Sequence, residues 1–113
     1  MTQMTQTINV LIIFSSSSGT TEKLALAAAV GAVQARANIR MRRLPDNSPE
    51  SDETLARMRR EYVAPTPADT LWADAVFIGL NGKICGMACN PPDATTFGRR
   101  AAEQTRALNS EKK

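Results

Sequence analysis

The hydrophobic positions of the chain include two unbroken runs that have the length of a strand. The first run is INVLIIF at residues 8–14, and the second is AVFIG at residues 75–79. Continuous apolar runs that are rich in β-branched residues are typical of parallel strands buried on both faces. We therefore expect both runs to form strands in the interior of a parallel sheet.

The residues between these runs predict helices and one further strand. Residues 20–33 are rich in alanine, which favours a helix that can lie close to a sheet. Residues 38–44, NIRMRRL, alternate between apolar and basic, as expected for an edge strand with one wet face. Residues 50–62 are charged and carry apolar side chains at helical spacing. Thr66, with a proline next to it and Asp69 three positions later, is typical of the capped start of a short helix.

The last part of the chain predicts an irregular junction and a final helix. The junction at residues 80–93 is rich in glycine and proline and has room for one short strand at most, at residues 83–88. Residues 94–109 carry apolar side chains at helical spacing and predict the final helix. The order of elements predicts an α/β domain with three parallel strands and right-handed crossovers. We expect one domain over residues 8–113, preceded by a flexible tail at residues 1–7.

A polar turn, FSSSSGTTEK at residues 14–23, joins the first strand to the first helix. In open α/β sheets this is where ligands bind, because the N–H groups of a helix N-terminus attract anions. The turn matches neither the spacing of the lysine-bearing nucleotide loop nor the GxGxxG pattern. Two interpretations therefore remain open, a phosphate-binding turn and a plain solvated connection. Gly19 lets the backbone approach a ligand closely, and a serine or threonine of the turn should cap the helix. The hydroxyl side chains that we expect around a phosphate are those of Ser16, Ser17, Ser18, Thr20 and Thr21.

The composition excludes two classes of partner. Hydrophobic residues make up 42% and charged residues 22% of the chain, which is ordinary for a soluble globular protein. No apolar run reaches the roughly 20 residues of a membrane span. The N-terminus lacks the charged segment followed by an apolar segment that is typical of a signal peptide, so we expect a cytoplasmic protein. The net charge is +3, with basic groups at residues 36–43 and 57–60, but aromatic residues are only 4% and no groove-binding motif is present. We expect no nucleic-acid partner and interpret the basic groups as solvent-exposed faces.

The chain is poor in residues for metal binding or acid–base catalysis. It has no histidine, which is the commonest metal ligand and the commonest general base. Cys85 and Cys89 lie four positions apart without two further ligands nearby. We expect two ordinary thiols, neither a zinc site nor a disulfide, and no catalytic side chain.

Residues 12–25, IIFSSSSGTTEKLA, resemble the flavodoxin signature. That signature has two aliphatic residues and an aromatic one, a hydroxyl position, a glycine, a threonine two positions later and an alanine four positions after that. The chain departs from it at Ala27, where the family prefers a larger aliphatic residue. Residues 8–79 and 94–108 are similar to the flavodoxin-like NAD(P)H:quinone oxidoreductases of the tryptophan-repressor-binding-protein type. The resemblance implies a three-layer α/β sandwich whose retained strands have the order 2-1-3.

The same resemblance implies FMN as the cofactor, with its phosphate held by the hydroxyl set of the polar turn. It further implies NAD(P)H as electron donor, a quinone as acceptor, and contacts to the flavin ring from the loop after the third strand. Here that loop lacks the family's Pro-Thr-Arg-aromatic-Gly sequence, and two later strands are missing. The third strand would then lie at the sheet edge, which predicts a homo-oligomer that forms through this edge. The loop residues that correspond to the ring contacts are Gly79, Leu80, Asn81 and Gly82.

Three functions therefore remain open at this point. The chain could be an FMN-dependent oxidoreductase, in which the flavin does the redox chemistry and the protein supplies position and electrostatics. It could be a shortened module that binds a phosphate or nucleotide without redox chemistry, or an interaction protein that acts through its exposed sheet edge. The intact signature favours the first function, and the missing ring loop favours the other two.

Overall fold

The computed structural model describes residues 7–46 and 53–111. Residues 1–6 of the predicted tail and residues 50–52 of the predicted second helix lie outside the described residues. The described elements are β1 (Asn9–Phe14), α1 (Thr20–Gln34), β2 (Asn38–Arg43), α2 (Glu53–Glu61), α3 (Pro67–Trp72), β3 (Ala75–Leu80), β4 (Lys83–Ile84), β5 (Met87–Ala88) and α4 (Pro91–Glu111).

These elements form a mixed α/β domain around one sheet with the order β2-β1-β3-β4-β5. β1 pairs in parallel with β2 on one side and with β3 on the other, so the predicted order 2-1-3 is confirmed. β4 and β5 are antiparallel additions of two residues each, where the sequence predicted at most one short strand. The sheet therefore has five strands and is parallel only in its first three.

Two tight turns produce the additional strands. Asn81 and Gly82 between β3 and β4 have φ angles of 52° and 72°, and Cys85 and Gly86 between β4 and β5 have φ angles of 50° and 82°. Two consecutive residues with positive φ are required by the type I′ turn, which is favoured in two-residue hairpins because its twist matches that of the strands. Asn-Gly is the strongest short-range signal for such a turn, so the prediction of an irregular junction was wrong at this position.

The prediction that β3 lies at the sheet edge is wrong, because the hairpin of β4 and β5 covers part of it. β4 pairs with the last two residues of β3, and the N–H of Cys85 donates to the carbonyl oxygen of Ile78 at 2.7 Å. Alternate residues of a strand direct their N–H and C=O groups to the same side, so Val76 faces this side as well. In the described part of the chain, no strand pairs with β3 there. The open edge of β3 is thus reduced to its first half.

The prediction that both apolar runs are buried on two faces holds for β1 but is wrong for β3. Phe77 is buried, whereas Val76, Ile78 and Leu80 are 39%, 37% and 43% exposed. Phe77 faces α4, where its ring packs against Phe97 with a centroid distance of 5.1 Å. On the other face of the sheet, α3 is bound to β2 by ion pairs and leaves these three side chains of β3 exposed. A local apolar run could not show that no helix of the described residues covers β3 on this face.

Alanine and glycine allow α1 and α4 to pack backbone against backbone on the buried face of the sheet. A Cβ atom on Gly31 of α1 would lie 1.9 Å from the carbonyl oxygen of Thr95, and one on Gly98 of α4 would lie 2.0 Å from that of Ala28. The final helix starts earlier than the predicted residue 94, because Pro91 and Pro92 occupy its first turn, where proline is tolerated. This close packing fixes α1, and with it the polar turn at its N-terminus.

Candidate functional site

A polar cleft lies where β1 and β3 end. Phe14 and Gly79 are paired in the sheet, and the N–H of Ser15 donates to the carbonyl oxygen of Gly79 at 2.9 Å. The loops that leave the two strands therefore start side by side. Together they line a cavity of about 320 Å³, whose lining residues are Ser15, Ser16, Ser17, Ser18, Thr20, Thr21, Asn81 and Gly82.

The structure brings most of the predicted site residues together at this cleft. All five hydroxyl residues of the turn line it, and so do Asn81 and Gly82. Gly19, Gly79 and Leu80 do not. Gly79 is buried in the sheet, where a Cβ atom would lie 3.1 Å from Cγ2 of Thr21, and Leu80 is exposed on the sheet face away from α4. The glycine is thus required for packing at this position, not for contact with a ligand.

The turn that starts α1 has an internal hydrogen bond but no side-chain cap. The N–H of Gly19 donates to Oγ of Ser16 at 3.0 Å, and Gly19 itself occupies the N-cap position with φ 95°. The predicted serine or threonine cap is therefore wrong, since the nearest buried hydroxyl is bound to the backbone outside the helix. The N–H groups of the first helical turn have no capping side chain, which leaves them available to an anion.

Thr21 joins the two loops of the cleft. Its Oγ1 accepts the N–H of Gly82 at 2.8 Å, and its side chain is only 5% exposed. A hydroxyl that accepts one hydrogen bond can still donate its own hydrogen. Thr21 can therefore hold the β3–β4 turn in place and donate to a ligand at the same time.

A buried carboxylate lies next to this turn, and its charge is compensated. Glu22 is 4% exposed and accepts two hydrogen bonds from Arg57 of α2, at 2.6 and 2.9 Å, and one from the hydroxyl of Tyr62 at 2.7 Å. The hydrogen bond from Arg57 lowers the pKa of Glu22 below its ordinary value against the opposing effect of burial, and that from Tyr62 adds to the lowering. Burial and the neighbouring Glu22 raise the pKa of Tyr62. Glu22 is thus an anion paired with Arg57, which also binds Glu61 at 2.7 Å.

A buried arginine of β2 also contacts the turn. Arg43 at the end of β2 is 5% exposed and donates to the carbonyl oxygen of Ser16 from Nε at 3.2 Å and from Nη2 at 2.6 Å. It also forms an ion pair with Asp46. The interpretation of residues 36–43 as a solvent-exposed basic face is therefore wrong at this position. The sequence contained a signal for this burial. Ile39, Met41 and Arg43 occupy alternate positions, so Arg43 lies on the same face of β2 as the two apolar side chains.

The other basic residues of β2 are also paired. Arg40 and Arg42 bind the carboxylate of Asp69 in α3, at 3.0 and 2.9 Å, and Arg40 lies over the ring of Trp72 at 4.2 Å from its centroid. Hydrogen bonds from Arg42 and from the N–H of Thr66 hold the pKa of Asp69 well below its usual range. The same carboxylate completes the predicted cap, because Thr66 and Asp69 form a reciprocal capping box. These arginines stabilise the fold and take no part in the cleft.

The chemistry of the cleft suits a phosphate group. Hydroxyl groups and helix N–H groups can surround a phosphate dianion without a cationic side chain, and none of the described residues that line the cleft is charged. A flavin ring would additionally need flat apolar walls, and the described lining residues include no aromatic or large aliphatic side chain. The described cleft therefore fits the phosphate end of FMN and does not provide a ring pocket of its own.

Neither the comparison with known families nor the cysteines and carboxylates of the described residues indicate a further ligand. A scan against protein-family models finds no match for this chain. Both Cys85 and Cys89 are free thiols. Among the described residues, no cluster of three or more Cys, Asp or Glu side chains is arranged to hold a metal ion. The described helices also include none with the length and apolar composition that crossing a membrane requires.

Proposed function

We propose that this chain is a flavodoxin-like protein that binds FMN by its phosphate in the polar cleft and transfers electrons through the bound flavin. The supporting observation is that the serine turn and the Asn81–Gly82 turn meet in one cavity between the ends of β1 and β3. In sheets with this strand order, that crevice is the switch point at which FMN binds. The resemblance of residues 12–25 to the flavodoxin signature supports the same ligand.

The protein would hold the phosphate with neutral donors. Ser17, Ser18 and Thr20 line the cleft, and the first turn of α1 starts beside it without a side-chain cap among the described residues. The pairing of Glu22 with Arg57 keeps the nearby carboxylate from repelling the anion. When bound, FMN would supply the hydride and electron chemistry, with NAD(P)H as donor and a quinone as acceptor. The residues of the chain contribute binding and orientation.

A second candidate is a module that binds a phosphorylated ligand without redox chemistry. The observation that favours it is the cleft lining, which is hydroxyl-rich and lacks a wall for a flavin ring. In this function the serine turn would bind inorganic phosphate or a phosphate monoester with little dependence on what is attached to it. The two functions thus differ in whether the ring of the ligand adds to its affinity.

The experiment that tests the proposal is a titration of the whole chain with FMN, riboflavin and inorganic phosphate. Calorimetry measures all three ligands, and quenching of flavin fluorescence measures the first two. We expect FMN to bind at least about tenfold more tightly than riboflavin, the effect of hydrogen bonds to a charged group. Equal affinity for FMN and phosphate would favour the second candidate. Absence of binding by all three ligands would contradict both.

A variant pair locates the binding to the cleft. Thr20→Val removes an exposed hydroxyl of the cleft, and Thr70→Val removes a matched exposed threonine hydroxyl on α3, which is outside it. We expect Thr20→Val to weaken FMN binding by about 1 kcal/mol and Thr70→Val to leave it unchanged. Equal effects of the two variants would show that FMN binds elsewhere.

A further inference from the structure

The peptide group between Ser16 and Ser17 is fixed by a residue that does not line the cleft. The guanidinium of Arg43 binds the carbonyl oxygen of Ser16 through two nitrogen atoms, at 3.2 and 2.6 Å. Arg43 belongs to the neighbouring strand β2 and lies 27 positions further along the chain. The carbonyl oxygen of a turn residue is thereby held on the side of β2.

The planarity of the peptide bond gives this contact a consequence for the cleft. In a trans peptide the carbonyl oxygen of one residue and the N–H of the next point in opposite directions. With the carbonyl of Ser16 directed to the guanidinium of Arg43, the N–H of Ser17 is directed away from that guanidinium. Ser17 lines the cleft and Arg43 does not, so an N–H that points away from Arg43 is suited to face the cleft. The opposite orientation of this peptide would present a carbonyl oxygen to an anion instead of a donor.

Arg43 is itself held in place. The N–H of Arg43 donates to the carbonyl oxygen of Val63 at 3.0 Å, and the guanidinium pairs with Asp46. Asp46 also binds Arg59 of α2 at 2.6 Å. A buried guanidinium with these partners loses little further freedom when it binds the Ser16 carbonyl, so it can fix the orientation of the turn before a ligand arrives.

We propose that Arg43 is a positioning residue of the phosphate cleft, which orients the Ser16–Ser17 peptide so that the N–H of Ser17 faces the anion. The inference rests on the proposed function, since it concerns the same cleft. It assigns to Arg43 an action through the backbone of the turn and not a contact with the ligand.

The test is amide and carbonyl NMR on the ¹³C,¹⁵N-labelled whole chain, with inorganic phosphate as the probe. Arg43→Met removes the guanidinium, and Arg40→Met removes a matched ion-paired arginine of the same strand that does not contact the turn. In the ligand-free protein we expect Arg43→Met, but not Arg40→Met, to move the ¹³C signal of the Ser16 carbonyl upfield. With phosphate we expect Arg43→Met to abolish the downfield shift of the Ser17 amide proton and to weaken phosphate binding by about tenfold.

A conservative variant separates orientation from charge and replaces Arg43→Met if that protein does not fold. Arg43→Lys keeps the positive charge but cannot donate from two planar nitrogen atoms. We expect it to give intermediate values of both the Ser16 carbonyl signal and the Ser17 response. A full Ser17 response without recovery of the Ser16 carbonyl signal would show that charge alone acts, which overturns the inference.

The remaining outcomes are distinguishable from a failure of the proposed function. The inference is overturned if Arg43→Met leaves the Ser16 carbonyl signal in place, or moves it without changing the response of Ser17 to phosphate. If saturating phosphate displaces no amide of the turn in the unmutated protein, the proposed function fails and the inference fails with it. That result is obtained before any variant is made.

Discussion

The parallel strands β1 and β2 and the hairpin of β4 and β5 differ in strand length and in how many of their neighbouring side chains are buried or paired. β1 is buried on both faces, and β2 is tied to α3 and to the serine turn by paired arginines. β4 and β5 have two residues each, and the adjacent β3 exposes Val76, Ile78 and Leu80. The same polar cleft lies between these two regions, so only one of its walls belongs to the well-packed part.

Under the proposed function, this difference decides which part of the cofactor the chain would hold. The wall formed by the serine turn has hydroxyl groups, free helix N–H groups and buried charged residues behind it. The opposite wall is the two-residue Asn81–Gly82 turn, which is attached to the first wall through Thr21. If FMN binds here as proposed, its phosphate end meets a formed surface, and its ring meets none among the described residues.

The largest expected effect comes from filling the contact between α1 and α4. In Gly31→Ala the new Cβ meets the backbone of Thr95, so we expect a loss of about 3 kcal/mol in the free energy of unfolding. The matched change in the hairpin is Gly86→Ala, which meets no atom within 4 Å but requires a left-handed backbone at φ 82°. We expect it to cost about 1 kcal/mol. Urea unfolding measures both, and a smaller loss for Gly31→Ala would contradict the comparison.

Glu22→Gln tests the buried charge behind the serine turn. Replacing this carboxylate weakens its hydrogen bonds to Arg57 and Tyr62, and we expect a loss of about 2 kcal/mol at pH 7. The pKa of Glu22 is lower in the folded protein than in the unfolded chain. Its charge therefore stabilises the fold above the ordinary pKa of glutamate, roughly 4.3, and this stabilisation is lost as the pH falls through the folded value.

The measurement is urea unfolding at pH 7 and at pH 3, with Glu103→Gln as the control on the exposed side of α4. The unmutated protein should lose more stability between these pH values than Glu22→Gln does. An identical pH dependence in the two proteins would show that Glu22 does not contribute to it.

Thr21→Val tests the connection between the two walls of the cleft. The variant removes the acceptor of the Gly82 N–H, so we expect faster hydrogen exchange at that amide. It also removes a donor for the phosphate, so we expect FMN binding to weaken by about 1–3 kcal/mol. Thr70→Val should change neither quantity. If FMN affinity falls while the exchange of Gly82 is unchanged, Thr21 acts on the ligand alone and the two walls are not coupled through it.

The smallest effect on stability is expected from the exposed face of β3. The double change of Val76 and Ile78 to threonine keeps strand propensity and should alter the free energy of unfolding by less than about 0.5 kcal/mol. Urea unfolding measures the change.

The prediction of a homo-oligomer was based on the edge of β3, of which the first half is not paired by the hairpin. Sedimentation of the unmutated protein at micromolar concentration tests it. A dimer would agree with the prediction, and a monomer would contradict it.

The parts of the fold that depend on local pattern could be predicted from the sequence. The apolar run of β1, the alanine-rich α1 and the Thr66–Asp69 capping box each carry their signal within a few residues. The Asn81–Gly82 turn also has a local signal, but residues 83–88 after it contain no apolar run of strand length, so the two short strands were not predicted.

The contacts that support the candidate site could not be predicted in the same way. Glu22 and Arg57 lie 35 positions apart, and Arg43 and Ser16 lie 27 apart, so the fold and not the local sequence brings them together. The phase of Arg43 in the alternation of β2 indicates that it is buried, but not what it binds. The five hydroxyl residues of the turn line one cleft, since a turn of this length keeps its side chains close. That they bind a phosphate stays a prediction.

The most direct test of the central claim is the ³¹P NMR signal of FMN in the presence of an excess of the whole chain. The serine turn should bind the phosphate as a dianion, so we expect a shifted ³¹P signal that stays constant between about pH 5 and pH 8. Free FMN titrates in this range, because the second pKa of a phosphate monoester is about 6. A ³¹P signal that keeps the position and the pH titration of free FMN would contradict the assignment of this cleft as a phosphate site.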